Sequence, residues 1–261
     1  MEAIRLFDTH AHLLDGRFDE DREALISGLP ARGVACVLEA ACEAADIPRV
    51  IALCERHPGL VYGAAGIHPH SASGFTGETL AQIESALAHP AIRAVGEIGL
   101  DYHYDFSPRE AQKACFDAQL ALAGRRGRPV VIHDREAHGD CLDLLRAHRN
   151  RLQGVMHCFS GCYEMARACL DLGLYLGIGG SLTFKNAKKL LETVQKAPRD
   201  RLLLETDCPY MTPEPFRGRR NDPSLARLTL ARLAALRGED EAALAAALYE
   251  NGLRLFGIAA G

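Results

Sequence analysis

Eight short apolar runs of the β type alternate with helix-like patterns, and this alternation constrains the fold more than any other feature of the chain. The runs cover residues 6–12, 35–40, 60–67, 92–100, 129–133, 154–159, 174–179 and 201–206. Strands that alternate with helices predict βαβ units and a parallel sheet. Because eight such units can be counted, we predict an α/β fold with a closed (β/α)8 TIM barrel rather than an open, doubly wound sheet.

The segments between the runs carry the spacing of amphipathic helices. In residues 79–88, for example, Leu80, Ile83 and Leu87 fall on one stripe of a helix. Further helices are predicted at residues 109–123, 165–172 and 187–194, and two or three more in the tail from Pro223 onward.

The length of the chain fits one such barrel. The chain has 261 residues, 48% of them hydrophobic, and a (β/α)8 barrel typically takes about 250 residues. No internal repeat, linker or low-complexity segment divides it, so we predict a single domain over residues 1–261. The net charge of -4 argues against a globally basic nucleic-acid binder, although it leaves room for a local basic patch.

The cysteines and the N-terminus predict a cytoplasmic protein. Nine cysteines form an odd set without a disulfide-like framework, which favours reduced thiols packed as small apolar side chains. The N-terminal stretch MEAIRLFDTHAHL lacks the pattern of a signal peptide, and no run of 18 apolar residues predicts a membrane span. We expect a monomer that does not contact a membrane.

Imidazole and carboxylate side chains recur at the ends of the apolar runs. They are His10, His12, Glu97, His133, His157 and Asp207. Each has an ordinary alternative reading, such as a satisfied core histidine, a paired buried glutamate or a turn aspartate. Their joint occurrence at strand ends, which converge at the C-terminal face of a barrel, instead predicts a metal-dependent hydrolase. Nitrogen and oxygen donors suit several divalent ions, including Zn, Mn, Mg, Fe and Ni.

A set of motifs carries a resemblance to a known family. DTHAHL, GIHPH, GEIGLDY, PVVIH, HCFSG, ETDCPY and PEPFRGRRNDP follow one another between residues 8 and 223. In this order they resemble the signatures of the TatD family of metal-dependent deoxyribonucleases and hydrolases, within the amidohydrolase-like superfamily of TIM barrels.

The resemblance implies a two-metal site with assigned ligands. The first ion is expected on His10, His12 and Asp207, the second on His133 and His157, with Glu97 bridging both. His68, in GIHPH, is expected to face the scissile group.

The expected chemistry is hydrolysis by a water that two metal ions activate. Asp207 is the predicted acceptor of the proton of that water, while His68 and the metals would stabilise charge on the phosphate oxygens. Glu205 and Arg135 are predicted either to support the ligands or to contact substrate, although either residue fits a surface salt bridge equally well.

Basic residues after the last two strands are predicted to hold phosphate. Arg217, Arg219 and Arg220 follow the Asp207 strand, beside Phe216, and guanidinium groups suit phosphate oxygens. Lys185, Lys188 and Lys189 follow the seventh strand on the same face, where a solvated helix is the simpler reading for the last two.

Three functions remain open at this point. The first is a nuclease that hydrolyses DNA phosphodiester bonds at ends or in single strands, which includes 3′-5′ exonuclease action. The second is a hydrolase of a small ester, lactone or amide with the same metal site. The third, a non-enzymatic barrel scaffold, is disfavoured because all six ligands are present.

Overall fold

The computed structural model describes residues 4–259, in which eight parallel strands form one sheet in the order β1 to β8. The strands are β1 (Leu6–Ala11), β2 (Val34–Ala40), β3 (Val61–Ala65), β4 (Ile92–Asp101), β5 (Val130–Arg135), β6 (Gly154–Met156), β7 (Tyr175–Ile178) and β8 (Leu202–Leu204). The α-helices are α1 (Arg22–Gly28), α2 (Asp46–Arg56), α3 (Gly77–Ala86), α4 (Arg109–Arg126), α5 (His138–Ala147), α6 (Tyr163–Asp171), α7 (Lys188–Lys196), α8 (Ala226–Arg237) and α9 (Glu241–Phe256). None of the helices within residues 4–259 is long and apolar enough to cross a membrane.

The first and last strands close the sheet into a barrel. Ala11 forms a parallel bridge with Cys208, and the backbone N–H of Asp207 donates to the carbonyl of His10 at 3.0 Å. The buried carboxylate of Asp8 in β1 adds two bonds across the seam, from the backbone N–H and the hydroxyl of Thr206. The predicted (β/α)8 barrel is therefore confirmed.

The predicted strands agree with the structure better than the predicted helices. Every predicted apolar run overlaps one strand, and the helical patterns at residues 79–88, 109–123, 165–172 and 187–194 overlap α3, α4, α6 and α7. Helices α1, α2 and α5 were not predicted. α1 spans only seven residues, too few for a clear periodic signal. The signal for α2 was present but missed, because Ile47, Val50, Leu53 and Cys54 have helical spacing and a proline in the first turn does not break a helix.

An apolar layer inside the barrel forms the floor of the polar C-terminal mouth. The layer includes Leu38, Val131, Val155 and Leu203, and α9 covers it from below with residues such as Phe256. Side chains two residues apart on a strand share a face. The side chains two residues beyond Val131 and Val155, those of His133 and His157, therefore project into the mouth above this apolar floor.

A buried glutamate fastens the loop that follows β1. The two carboxylate oxygens of Glu39, in β2, accept the backbone N–H groups of Leu13 at 2.6 Å and Leu14 at 2.9 Å. Glu39 is fully buried. Its removal would leave two N–H groups without partners beside the mouth of the barrel.

We expect Glu39→Ala to lower the free energy of unfolding by about 2–4 kcal/mol, because each unsatisfied buried donor costs about 1–3 kcal/mol. Urea unfolding followed by circular dichroism measures the change. The exposed Glu43 supplies the matched control, since Glu43→Ala should stay within about 0.5 kcal/mol of the parent. A similarly small loss for Glu39→Ala would contradict this account.

Candidate metal centre

The structure brings all six predicted ligands together at the C-terminal mouth of the barrel. His10 lies in β1, Glu97 in β4 and His133 in β5, while His12, His157 and Asp207 follow β1, β6 and β8 closely. Most of them line an open cleft of 990 Å³, and His10 lies buried beneath it.

Glu97 stands at the centre of this cluster because β4 is irregular at that point. The pairing between β4 and β5 shifts register between Val95 and Ile98. An extra residue in one strand re-aims the neighbouring side chain, and here the carboxylate of Glu97 points into the mouth, 2% exposed. Gly99, with φ +147, lets the two strands approach so closely that any Cβ would collide with the backbone of His133.

One oxygen of Glu97 faces the first histidine pair. Its Oε2 lies 3.3 Å from Nε2 of His10 and 3.5 Å from Nε2 of His12. Those two nitrogens are 3.0 Å apart, and Oδ1 of Asp207 lies 3.7 Å and 3.5 Å from them. Asp207 adopts φ +56, a left-handed conformation that non-glycine residues seldom take outside functional sites.

The other oxygen of Glu97 faces a second group of histidines. Its Oε1 lies 2.8 Å from Nδ1 of His133, 2.9 Å from Nε2 of His157 and 3.5 Å from Nε2 of His68. The nitrogens of His133 and His157 are 3.2 Å apart. Glu97 therefore lies between two clusters of donor atoms and contributes one oxygen to each.

Asp101 is a site residue that the sequence interpretation missed. Its buried Oδ2 lies 3.2 Å from Nε2 of His133 and 2.8 Å from Nε2 of His70. A carboxylate on one ring nitrogen orients the imidazole and leaves the other nitrogen free to act as a ligand. The available signal was its position, since Asp101 directly follows the apolar run that contains Glu97.

His157 has a comparable partner in Glu205, although the contact is longer. The Nδ1 of His157 lies 3.8 Å from Oε1 of Glu205; this nitrogen and Oε2 of Glu205 are both buried without a hydrogen-bond partner within residues 4–259. Glu205 accepts the backbone N–H of Cys158. Gly177 makes room for the carboxyl group, because a side chain there would collide with it.

Burial and charge divide the acids of the site into two kinds. Burial would raise the pKa of Glu97, but the histidines around it, His157 first, hold that pKa well below its usual range. Burial also opposes ionisation of Asp207, yet its hydrogen bond with His12 lowers the pKa of the carboxyl group. Burial raises the pKa of Glu205 well above its usual range, with the charge of Asp207 adding to the effect. Glu97 and Asp207 are therefore carboxylates at neutral pH, whereas burial and the charge of Asp207 favour the protonated form of Glu205.

The donor atoms fit divalent cations. Imidazole nitrogens and carboxylate oxygens point into small shared volumes. Ligand atoms from His10, His12 and Asp207 lie within 4.8 Å of one another, as do those from His10, Glu97 and His157. Two imidazole nitrogens at 3.0 Å can share only one proton, whereas a cation satisfies every lone pair at once. Mixed nitrogen and oxygen ligands are those that zinc and similar ions take.

The four predicted substrate arginines lie in different surroundings. Arg135 lines the metal cleft, with its guanidinium 4.7 Å from the ring centroid of Tyr104. Arg217 lines a neighbouring cavity, and Arg219 lies 5.7 Å from the ring centroid of Phe216. Arg220 forms a two-pronged ion pair with Asp21, at 2.7 Å and 2.6 Å.

A parallel (β/α)8 barrel with imidazole and carboxylate donors gathered at its C-terminal mouth defines a metal-dependent hydrolase. The family described as TatD related DNase matches residues 7–257, and the chain belongs to this family.

Individual relatives cover nearly the whole chain. YabD of Bacillus subtilis, an uncharacterized metal-dependent hydrolase, is 42% identical over 254 residues, which are 97% of this chain and 99% of that protein. The 3'-5' ssDNA/RNA exonuclease TatD of Erwinia tasmaniensis is 36% identical over 259 residues, 97% of this chain and 100% of that protein. The crystal structure of YJJV, a TatD homologue from Escherichia coli, matches with a TM-score of 0.92 at 36% identity and covers 98% of this chain and 100% of that one.

These comparisons confirm the predicted family and the predicted enzyme class, a metal-dependent hydrolase of ester bonds from a family of deoxyribonucleases. The roles of individual side chains stay predictions.

Proposed function

We propose that this protein hydrolyses phosphodiester bonds near the ends of single-stranded nucleic acid, with two divalent ions bound on either side of Glu97. The observation that carries the proposal is the position of the Glu97 carboxylate, whose Oε2 faces His10 and His12 while its Oε1 faces His133 and His157. A bridging carboxylate of this kind is the arrangement that a two-metal phosphodiesterase needs.

The expected holders of the two ions follow from the distances. His10, His12 and Asp207 would hold the first, His133 and His157 the second, and Glu97 both. When bound, such ions supply Lewis-acid chemistry, by polarising phosphoryl oxygens and by lowering the pKa of water from 15.7 to about 7. The donor set is compatible with Zn, Mn, Mg, Fe or Ni.

The chain's own residues supply proton transfer and charge stabilisation. Asp207 is ionised, lies at the open side of the cluster and is the proposed acceptor of the proton of the attacking water. His68 accepts the backbone N–H of His70 at its Nδ1, at 3.2 Å, so its proton lies on Nε2, the nitrogen that faces Glu97. From there His68 can donate to a non-bridging phosphate oxygen as negative charge develops.

A second cavity beside the metal cleft supports a polymeric, anionic substrate. It has a volume of 880 Å³ and shares Met211 with the metal cleft. Four cations, Lys185, Lys188, Lys189 and Arg217, and one carboxylate, Glu214, line it. Among the described residues, no carboxylate lies within salt-bridge distance of Lys185, Lys188 or Arg217. Unpaired cations beside a metal centre favour a substrate with further phosphates beyond the scissile one.

The name of one relative supports the same class of substrate. The Erwinia protein is a 3'-5' ssDNA/RNA exonuclease and aligns over 97% of this chain. The slightly acidic composition, with a net charge of -4, fits the trimming of ends better than wrapping around a duplex. We therefore favour DNA, cleaved at its end, over a small ester or lactone.

We propose one hydrolase domain over residues 1–261, of which 1–3 and 260–261 lie outside the described range, acting as a monomer in the cytoplasm. The nine cysteines are free thiols, in keeping with a reducing compartment.

We expect Asp207→Asn to lower the turnover number on single-stranded DNA by at least about 10²-fold, because the variant loses the proton acceptor. Affinity for the strand should fall far less. The measurement pairs single-turnover cleavage of a labelled oligonucleotide with fluorescence anisotropy, using protein loaded with a stated metal such as manganese.

The same assay includes a panel of small esters and lactones. Efficient cleavage of one of these by the parent protein, with DNA left intact, would replace the nuclease proposal by the small-ester alternative.

We expect Glu97→Ala to bind less than one equivalent of metal where the parent binds two, because the variant removes a ligand from both clusters. His133→Ala should chiefly lose one ion, since His133 faces only Oε1 of Glu97. Metal content after gel filtration, measured by mass spectrometry, gives the count. Two retained ions in Glu97→Ala would exclude a bridging role.

We expect Arg217→Gln to weaken binding of single-stranded DNA and to reduce the slope of log affinity against log salt by about 0.7, the value for one phosphate contact. Arg220→Gln is the matched control, because the Arg220 guanidinium is already paired with Asp21. Equal slopes for Arg217→Gln and the parent would remove this residue from the phosphate path.

A further inference from the structure

The large hydrophobic side chains that are exposed within residues 4–259 all lie on loops that follow strands at the metal-bearing end of the barrel. They are Tyr104, Phe106, Tyr210 and Phe216, with Phe106 the most exposed at 67%. Three of them line the metal cleft itself. An apolar surface confined to the rim of one polar cleft indicates binding rather than packing.

Tyr104 and Phe106 form a stacked pair with an open face. Their ring centroids are 5.3 Å apart and the rings are 22° from parallel. The guanidinium of Arg135 lies 4.7 Å from the centroid of Tyr104, so a cation reinforces the pair. Tyr210, on the other side, is engaged by Arg17 at 4.1 Å from its ring centroid and by a hydrogen bond to Asp15. Its ring is therefore less available to a ligand than the Tyr104–Phe106 pair.

The loop that carries the pair is held in place before any ligand arrives. Asp101 accepts the backbone N–H of Tyr104 at 2.9 Å through Oδ1. Gln112 donates to the carbonyl of Ser107 at 2.8 Å, and the hydroxyl of Ser107 donates to the carbonyl of His70 at 2.9 Å. An exposed aromatic surface that is already ordered loses little conformational entropy on binding.

The pair is also linked directly to the ligand cluster. The carboxylate of Asp101 holds Tyr104 through Oδ1 and His133 through Oδ2, at 3.2 Å. The ring of His70 bridges the remaining gap, with its centroid 4.8 Å from that of Phe106 and 4.2 Å from that of His68. Only the rings of His70 and His68 therefore separate Phe106 from the Glu97 carboxylate along this path.

We propose that Tyr104 and Phe106 form a stacking platform for an unpaired nucleobase of the nucleotide that flanks the scissile phosphate, with Arg135 at its edge. This proposal rests on the proposed function and specifies how that substrate is recognised. Stacking on an aromatic face accepts every base, because every base has a π surface, and it requires a base that is not already stacked in a duplex. The platform thus selects for single strands without reading sequence.

The absence of tryptophan from the chain allows a direct test. Phe106→Trp introduces a single tryptophan at the platform, and its fluorescence should be quenched when the manganese-loaded protein is titrated with a short oligothymidylate. A cleavage-resistant strand with phosphorothioate linkages at its ends keeps the ligand intact. The control is Tyr62→Trp, at the amino end of β3 and so at the opposite end of the barrel. Its fluorescence should not respond.

Kinetics of Phe106→Ala test the role of the base. The KM for single-stranded DNA should rise about 10-fold, a ratio typical of one lost stacking interaction, with the larger effect on KM rather than kcat. A strand with an abasic site at the nucleotide beside the scissile bond should bind the parent protein about 10-fold more weakly. On that strand Phe106→Ala should add no further loss, because residue and base act as one pair.

Two results would overturn the platform and are distinguishable from each other. If the parent protein cleaves single strands but Phe106→Ala loses affinity equally for normal and abasic strands, the proposed function stands and the platform is wrong. If the metal-loaded parent neither binds nor cleaves any strand, the proposed function fails and the platform fails with it.

Discussion

The site depends on one buried carboxylate that is shared between two groups of histidines. Glu97 is almost fully buried, and an isolated charge in that position would be strongly unfavourable. Its two oxygens instead face imidazole nitrogens from four other strand ends, at 2.8 Å to 3.5 Å. The register shift in β4 falls at Glu97, where the side chain must turn into the barrel. Two residues later, Gly99 lets β4 approach β5 closely.

The rest of the barrel supports that arrangement from outside. Asp8 ties β1 to the residues after β8 and so positions His10 opposite Asp207. Asp101 orients His133 through the ring nitrogen that does not face Glu97. The apolar floor closes the mouth from beneath and places these charges beside a region of low dielectric constant, which strengthens the interactions among them. The side chains proposed for hydrolysis therefore lie at strand ends, and those proposed for substrate recognition lie on the loops above them.

Two different surfaces surround the metal centre, and they suit the two parts of a nucleotide. Lysines and Arg217 line the cavity on the side of β7 and β8, where phosphates would be held. Aromatic rings and Arg135 line the side of β4 and β5, where a base would stack. A small ester would use neither surface, whereas a single strand laid across the mouth would use both.

The sequence by itself determined the barrel and the candidate ligands at its mouth, because both depend on local patterns. Alternating runs fix the number of strands, and a histidine or acid at the end of a run must lie at the mouth once the sheet closes. Only the tertiary structure decided which oxygen of Glu97 faces which histidines, and that Asp101 supports His133. It also decided that Arg220 is paired with Asp21. Finally, it placed the stacked rings of Tyr104 and Phe106 beside the cleft. These relations join residues far apart in the chain or depend on loop conformation, and neither property leaves a periodic signal in a sequence.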